Sequence, residues 1–194
     1  MLIAELIEGV MILFLVPLLF GFCCDLASAF TGFYSRRLGD EWGTAVTLGL
    51  RGVLGLPVWA LGFALAIRAP SPPIFSPGLA TRLIGWALIA AGGALIGAGL
   101  IPLGHRTFLP SAGDRLIESG PYSVIRHPMD AGAGLVFVGL FVLTPTLAVA
   151  IAGGLGLIWL ALQTRAEEID LLGRLPAYRD YMNRVPALIP RPKK

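Results

Sequence analysis

Two polar segments of the chain, residues 114–130 and 163–190, carry most of the side chains that can do chemistry. Arginine and histidine can bind a carboxylate, glutamate accepts hydrogen bonds from hydroxyl or ammonium groups, and tyrosine can stack on a base. A ligand that combines a carboxylate, an ammonium, ribose hydroxyls and a purine would find partners among these groups. The residues concerned are the cation-rich turn Arg126-His127, the acidic pair Glu167-Glu168, and Tyr122, Tyr178 and Tyr181.

An uncharged run, residues 131–162, separates the two polar segments. A single helix of that length would measure about 48 Å, whereas the hydrocarbon core of a bilayer is about 30 Å thick. Because Thr144-Pro145-Thr146 interrupts the run near its middle, we expect two short helices that form a tight hairpin. The ends of a hairpin are neighbours, so the two polar segments can face each other and enclose a ligand.

Composition places these segments on a membrane protein. Of the 194 residues, 56% are hydrophobic and 14% are charged, whereas a soluble domain carries about 25% charged residues. The net charge of +3 does not indicate nucleic-acid binding, because the basic residues are unevenly placed. The sequence therefore predicts an all-α, polytopic membrane protein that has no nucleic-acid partner.

Five transmembrane helices are expected, the last two being the hairpin. Residues 1–104 would supply three of them, at about residues 6–24, 44–67 and 83–103. Residues 105–194 would form a core with a cytoplasmic cofactor-binding cap. Gly92, Gly93, Gly97 and Gly99 are expected to allow close helix contact in the third helix.

The basic residues also orient the chain. With five spans, twelve Lys and Arg residues fall on one side of the membrane and only Arg68 and Arg82 on the other. By the positive-inside rule the heavily charged side is cytoplasmic. We therefore expect a multi-pass protein whose active site faces the cytoplasm and whose N-terminus is outside.

Two ordered motifs resemble a known family. GPYSVIRHP, followed about 40 residues later by RAEEIDLL and YRDYMNRVPALIP, is similar to the isoprenylcysteine carboxyl methyltransferases, a family grouped with phospholipid N-methyltransferases. The resemblance implies that S-adenosylmethionine binds between the two segments, with S-adenosylhomocysteine as product. It also implies a lipid or lipidated methyl acceptor that arrives from the bilayer.

The resemblance, read with the residue types, gives a set of expected site residues. Arg126, Glu167 and Glu168 are the expected catalytic residues, and Arg51 and Gln163 the expected substrate-binding residues. The expected cofactor-binding residues are Asp114, Leu116, Ile117, Gly120, Tyr122, Arg126, His127, Pro128, Asp130, Glu167, Tyr178 and Tyr181.

The chain departs from the family pattern at three places that bear on the acceptor. Asp130 replaces a tyrosine, Leu175-Pro176 replaces a Phe-Gly pair, and Gln163 lies where the eukaryotic prenylcysteine enzymes carry an arginine linked to the substrate carboxylate. The preferred acceptor is an isoprenylcysteine-like carboxylate, and the alternative is a phospholipid amine. From other classes, a small channel or transporter and a purely structural membrane scaffold stay open.

Several residues have a second interpretation. Arg51 either extends to the membrane surface or serves as a buried functional charge, and Tyr178 and Tyr181 either line the site or anchor the chain at the interface. No metal site is expected, since the two histidines are far apart in sequence and no cysteine cluster exists. The short hairpin arms predict an opening toward lipid near Gly132 and Gly134.

Overall fold

The computed structural model describes residues 2–104 and 115–191, and the side chains within them from residue 11 onward. These residues are helical and contain no β-strand; one isolated bridge joins Pro73 and Thr146. The helices are α1 (Leu2–Ser28), α2 (Thr31–Leu38), α3 (Asp40–Leu48), α4 (Leu56–Arg68), α5 (Leu79–Leu103), α6 (Pro128–Leu143), α7 (Leu147–Arg174) and α8 (Tyr178–Arg184). A π-helical segment, Gly49–Gly55, joins α3 to α4, and a 3₁₀ turn, Gly120–Ser123, precedes α6.

Four stretches of helix are long and apolar enough to cross a membrane. They are Met11–Ser28, Asp40–Arg68, Leu79–Leu103 and Leu147–Arg174. The fifth expected span, α6, has 16 residues and is therefore about 24 Å long, shorter than a bilayer core. The all-α prediction is confirmed and the apolar helices fit an integral membrane protein, whereas the count of five spans stays a prediction.

The hairpin breaks at the expected place, but its second arm does not end at residue 162. α6 ends at Leu143 and α7 begins at Leu147, so that Thr144 to Thr146 form the turn. α7 then continues without interruption through Gln163 to Arg174. The residues after Gln163 are mostly good helix formers, and proline is absent until Pro176. One rigid helix therefore carries both the apolar arm and the polar residues of the site.

The proline-rich loop between α4 and α5 packs on the hairpin turn. The backbone N–H of Ile74 donates to the carbonyl of Pro145 at 2.7 Å, and that of Leu147 donates to Pro72 at 3.1 Å. α5 runs from this end of the bundle to the end where the polar segments lie, and α6 runs back from there to the turn. The loop and the turn are therefore on the side away from the candidate site.

Glycines hold α5 and α6 in close, antiparallel contact. A Cβ at Gly92 would lie 2.5 Å from the carbonyl oxygen of Gly132, and one at Gly99 would lie 2.8 Å from Met129. A Cβ at Gly93 or Gly97 would meet nothing within 4 Å. The predicted close helix contact therefore holds for Gly92 and Gly99 and is wrong for the other two.

A cluster of aromatic side chains joins the N-terminal helices to the hairpin. Phe22 of α1 stacks on Trp159 of α7 with ring centroids 4.7 Å apart, and Phe63 of α4 stacks on Phe137 of α6 at 4.6 Å. Stacked aromatic pairs add to the free energy of area burial. The cluster fixes α1 and α4 against α7, directly beneath the polar end of the bundle.

Candidate active site

A cavity of about 380 Å³ lies at the polar end of the bundle. α1, the π-helical segment, α4, α5, α6, α7 and α8 all contribute to its wall. Its volume is within the range of small-molecule sites, roughly 300–1,000 Å³. One face of α7 supplies Trp159, Gln163, Glu167 and Arg174 at helical spacing, so the wall changes from apolar to charged along this helix.

The two polar segments are held together over the cavity by backbone hydrogen bonds. The N–H of Arg126 donates to the carbonyl of Pro186 at 2.9 Å, and the N–H of His127 donates to Ala187 at 3.0 Å. The hydroxyl of Tyr181 donates to the carbonyl of Tyr122 at 2.6 Å. These contacts bring residues 115–130 and 163–190 face to face.

Arg126 and Glu168 form a buried ion pair at the edge of the site. Nε and Nη2 of Arg126 donate to Glu168 Oε1 at 3.0 and 2.5 Å, and Nη1 donates to the carbonyls of Met182 and Val185. The two side chains are only 8% and 3% exposed. Glu168 is thus buried behind the wall rather than solvated, and the guanidinium connects α7 to the chain after α8.

His127 lies among three carboxylates. Its Nδ1 is 3.6 Å from Asp130 and 3.7 Å from Glu167, and its Nε2 is 3.4 Å from Glu168. Burial opposes the charged imidazolium, but the hydrogen bond to Glu168 and the negative charges of Asp130 and Glu167 outweigh it. The pKa of His127 is therefore raised above its ordinary value, which favours a cationic side chain in this wall.

The tyrosines face inward. Tyr178 and Tyr181 are each 2% exposed and pack edge to face with ring centroids 5.7 Å apart. Burial raises the pKa of Tyr181 to about 12 and raises that of Tyr178 as well, so both are neutral phenols that can donate hydrogen bonds. The structure therefore favours wall residues over membrane-interface anchors.

Arg51 points into the site rather than toward the membrane surface. It lies in the π-helical segment, a distortion often found at functional sites. Its Nη2 donates to Glu167 Oε1 at 2.5 Å, and its Nε donates to Ser28 Oγ at 3.2 Å and lies 3.5 Å from Asp25 Oδ1. Of the two interpretations of Arg51, the structure supports the buried charge.

Asp25 and Trp59 complete this side of the cavity, and sequence reasoning missed both. The indole N–H of Trp59 donates to Asp25 Oδ2 at 3.3 Å, and the Asp25 side chain is 6% exposed. The sequence predicts that the first span ends at about residue 24, before Asp25, but α1 continues to Ser28. The available signal was a second charge, Arg51, inside the next apolar run, because charges in such segments tend to pair with one another.

Two buried polar atoms in the cavity wall have no hydrogen-bond partner among the described residues. They are Oε1 of Gln163 and Nε1 of Trp159. Gln163 Nε2 donates to Glu167 Oε1 at 3.1 Å. This bond orients the amide, and the amide carbonyl oxygen is left without a donor. An unpaired buried donor and acceptor are costly, so these atoms point to a ligand with polar groups of its own.

The structure brings most of the predicted site residues to one wall. Gly120 is not in the wall but has a φ of +60°, a conformation that glycine adopts readily at the turn before Tyr122. Glu168 lies behind the wall, and Asp114 lies outside the described residues. Those in the wall are Arg51, Leu116, Ile117, Tyr122, Arg126, His127, Pro128, Asp130, Gln163, Glu167, Tyr178 and Tyr181.

One group in the wall has the donor atoms of a metal site. His127, Asp130 and Glu167 each present one ligand atom, and these atoms lie within 4.8 Å of one another. Arg51 already pairs with Glu167 at 2.5 Å, and a guanidinium at that distance repels a cation. The donor atoms favour a metal whereas the guanidinium opposes one, so the expected absence of a metal stays a prediction.

An apolar cleft of about 310 Å³ adjoins the cavity. It lies between α4, α5 and α6 and shares Trp59, Ile96 and Ala133 with the main cavity. The predicted opening at Gly132 and Gly134 is wrong: Gly132 is buried against α5, and a Cβ at Gly134 would face Leu157 and Leu160 at 3.6 Å. The residue of α6 that borders both spaces is Ala133.

Residues 80–174 match the family described as phospholipid methyltransferase, which is part of the isoprenylcysteine carboxyl methyltransferase-like superfamily. The resemblance found in the two motifs is thereby confirmed. The match covers α5, α6 and α7, whereas Asp25, Arg51 and Trp59 lie before it. The family match therefore covers the hairpin side of the cavity and does not extend to α1 and α4.

Two curated proteins are similar over a shorter region. The cobalt-zinc-cadmium resistance protein CzcN of Cupriavidus metallidurans and the nickel-cobalt-cadmium resistance protein NccN of Alcaligenes xylosoxydans xylosoxydans are each 37% identical over 78 residues. The aligned region is 39% of this chain and 36% of each relative, so the chain matches about a third of their length. No solved structure matches the chain.

Proposed function

Residues 80–174 of this chain belong to the phospholipid methyltransferase family, and on that basis we propose that the protein is an S-adenosylmethionine-dependent methyltransferase for a lipophilic acceptor in the membrane. One observation carries the proposal. A polar wall built from the two motifs and an apolar cleft between helices meet in the same cavity. A methyltransferase that transfers a methyl group from a water-soluble donor to a lipid needs both a polar site for the donor and an apolar path for the lipid.

The residues of the polar wall fit S-adenosylmethionine by their chemistry. Glu167 can accept from ribose hydroxyls or an ammonium, His127 is a buried cation suited to a carboxylate, and Tyr178 and Tyr181 offer aromatic faces and hydroxyls. The unpaired carbonyl oxygen of Gln163 adds a further acceptor. The volume of the cavity is also adequate for a small cofactor.

When bound, S-adenosylmethionine supplies a methyl group carried on a positively charged sulfonium. The chain itself orients and dehydrates the reactants. Arg126 and Glu168 hold the His127 turn against α7, which makes this pair a positioning element. Arg51 and Gln163 both bond to Glu167 Oε1, so that carboxylate is fixed before any ligand arrives, as a preorganised site requires.

The acceptor would enter from the bilayer through the apolar cleft. Both acceptors considered from the sequence, an isoprenylcysteine-like carboxylate and a phospholipid amine, carry long hydrocarbon chains. Phe63, Phe137 and Leu140 line the cleft, so that a hydrocarbon chain can pass from the bilayer into it without exposure to water. The head of the acceptor would then lie near Ala133 and Trp59, next to the polar wall.

Transfer of a labelled methyl group tests the proposal. Purified protein in lipid nanodiscs is incubated with S-adenosylmethionine tritiated on the methyl group, and with phosphatidylethanolamine or N-acetyl-S-farnesylcysteine. We expect label in an organic-extractable product. Alkaline hydrolysis then distinguishes a methyl ester, which releases volatile methanol, from an N-methyl product, which does not. An absence of label in every extractable product would contradict the proposal.

The names of the two curated relatives favour a second candidate, binding of a divalent transition metal by His127, Asp130 and Glu167. Histidine and carboxylate are suitable ligands for such ions. Titration of Zn²⁺ or Co²⁺ into the purified protein tests it. Binding that His127→Gln abolishes and that S-adenosylhomocysteine blocks would support a metal in the same cavity; equal binding by parent and variant would reject it.

We also propose that the cavity faces the cytoplasm, on the basis of the twelve-to-two distribution of basic residues. In a background with Cys23→Ser and Cys24→Ser, single Ser76→Cys and Ser119→Cys variants test this orientation. Both positions are exposed and lie at opposite ends of the bundle. An impermeant thiol reagent applied to intact cells should label position 76 only; labelling of position 119 alone would reverse the orientation.

A further inference from the structure

We propose that Asp25, held by Arg51, Ser28 and Trp59, forms the subsite for the head of the methyl acceptor, and that it selects an ammonium-bearing amphiphile over a carboxylate. The inference rests on the proposed function and adds the chemical class of the acceptor. Asp25 lies before the segment that matches the family.

The first observation is the position of Asp25. Its carboxylate lies in the cavity wall beside Trp59, which borders both the main cavity and the apolar cleft. An amphiphile whose chain occupies the cleft therefore brings its head to the Trp59–Asp25 side of the cavity. The cofactor residues His127, Tyr178 and Tyr181 belong to the other side, on the 3₁₀–α6 connection and α8.

The second observation is the orientation of the carboxylate. Trp59 donates to Oδ2 at 3.3 Å, and Ser28 Oγ lies 3.3 Å from Oδ1, which Arg51 Nε approaches to 3.5 Å. A carboxylate oxygen accepts more than one hydrogen bond. Asp25 is therefore fixed by its neighbours and still has capacity to accept from a ligand.

The third observation is the charge of the deep part of the cavity. Glu168 pairs with Arg126 and Asp170 with Arg174, each within 2.8 Å, and Arg115 lies exposed at the mouth. The charged groups left in the deep wall are three carboxylates, Asp25, Asp130 and Glu167, against Arg51 and His127. Even with His127 protonated, acidic groups outnumber basic ones there.

The neutral groups beside Asp25 also favour an ammonium over a carboxylate. The indole ring of Trp59 can bind an ammonium by its face, and the unpaired Oε1 of Gln163 can accept a hydrogen bond from one. Gln163 is connected to Asp25 through Glu167 and Arg51. An ammonium thus finds an anion, an amide carbonyl and an aromatic ring.

A carboxylate head would find a poorer site. The guanidinium of Arg51 is the one cation next to Asp25 among the described residues of the wall, and it is already bound to Glu167 at 2.5 Å. An incoming carboxylate would compete with two acidic side chains for that group. Gln163, which occupies the position of the arginine that the prenylcysteine enzymes link to their substrate carboxylate, supplies no charge.

Binding of two matched probes tests the subsite without turnover. Hexylamine and hexanoate have the same chain length and opposite charge, and both are soluble enough to titrate into the full-length protein in nanodiscs saturated with S-adenosylhomocysteine. We expect the parent to bind hexylamine about tenfold or more tightly than hexanoate. Equal or tighter binding of hexanoate overturns the proposal, and this comparison requires no variant.

The Asp25→Asn variant then tests whether the preference for hexylamine depends on the Asp25 carboxylate. The amide retains the size of the side chain and an oxygen that can accept from Trp59, so the fold should persist. We expect hexylamine to bind about ten- to hundredfold more weakly, hexanoate to bind no more weakly, and S-adenosylhomocysteine to bind as in the parent. The matched control is Asp180→Asn, which removes an exposed charge of α8 and should change none of the three.

The outcomes separate the two proposals. An amine preference that survives in Asp25→Asn overturns the assignment to Asp25 and leaves the proposed function intact. A parent that does not bind S-adenosylhomocysteine contradicts the proposed function itself. The methylation assay gives the corresponding activity readout, with hexylamine as acceptor. Its ammonium first gives a proton to a carboxylate of the wall; the neutral amine then bonds to the methyl carbon as the carbon–sulfur bond breaks, and S-adenosylhomocysteine is released.

Discussion

The two sides of the cavity are built in different ways. The proposed cofactor side comes from the two ends of one hairpin, the Arg126-His127 turn and the polar end of α7, and they are joined by ion pairs and backbone hydrogen bonds. The acceptor side comes from helices that are far apart in sequence. Asp25 of α1 and Trp59 of α4 meet α6 and α7 through the aromatic cluster around Phe22 and Trp159.

Because the two sides are built differently, specificity for the methyl acceptor can change without a change in the cofactor side. A motif-built cofactor wall can be retained while the helices opposite it vary, since they contact it through a small number of side chains. Arg51 is the main such contact, because it bonds to Glu167 on the cofactor side and lies beside Asp25 on the acceptor side. Apart from the Arg51–Glu167 contact, which couples the two sides, variants on one side should affect the cofactor or the acceptor separately.

The largest effect on both sides is expected for Glu167→Gln. Glu167 is the shared partner of Arg51 and Gln163, and loss of a charge-assisted contact costs about 1.5–3 kcal/mol. S-adenosylhomocysteine should bind roughly ten- to hundredfold more weakly in calorimetry, and methyl transfer should fall at least as much. The matched control is Glu118→Gln, which removes an exposed ion pair with Arg184. Parent-like affinity in Glu167→Gln would show that the cofactor side is misplaced.

Ala133→Trp should separate the two sides. The indole would fill the junction between the cavity and the apolar cleft, so that a lipid acceptor no longer reaches the reacting position. Transfer to the lipid acceptor should fall about tenfold or more, with the affinity for S-adenosylhomocysteine retained. Val138→Trp, on the exposed face of the same helix, is the control. Retained lipid methylation in Ala133→Trp would reject the cleft as the entrance.

A smaller effect is expected from pH on the cofactor side alone. Because the pKa of His127 is raised, the imidazolium persists to higher pH than in a free histidine and is lost as pH rises through that raised value. Affinity for S-adenosylhomocysteine should thus be constant at lower pH and fall above the pKa of His127, by at most about tenfold per pH unit. His127→Gln should lack this component of the pH profile. An identical profile in parent and variant would remove His127 from the cofactor site.

The sequence predicted the hairpin side of the cavity wall better than the side formed by α1 and α4, for a physical reason. Arg126, His127 and Glu167 lie at the two ends of an uncharged hairpin, and a hairpin necessarily brings its ends together. Asp25 and Trp59 reach the site only through packing of α1 and α4, which no local pattern specifies. The end of the second arm was missed because charge was taken to end the helix, whereas α7 continues to Arg174.

The wrong prediction of a lipid opening at Gly132 and Gly134 has the same cause, because packing between helices is not specified by a local sequence pattern. Gly132 and Gly134 indicate that α6 has small residues, but the direction that each one faces depends on how the helix is rotated. Because Gly132 fits against Gly92 of α5, its neighbour Ala133 faces the cavity. A rotation of this kind is set by close packing of glycines along two helices and becomes visible only in the structure.

The most direct test of the proposed function is equilibrium binding of radiolabelled S-adenosylhomocysteine to the purified parent protein in nanodiscs. We expect saturable binding to one site per chain, with displacement of the labelled ligand by unlabelled S-adenosylmethionine. Hexylamine should not displace it, because the amine belongs to the other side of the cavity. Absence of saturable binding under conditions in which the protein is folded and monodisperse would contradict the assignment of this cavity as a methyltransferase site.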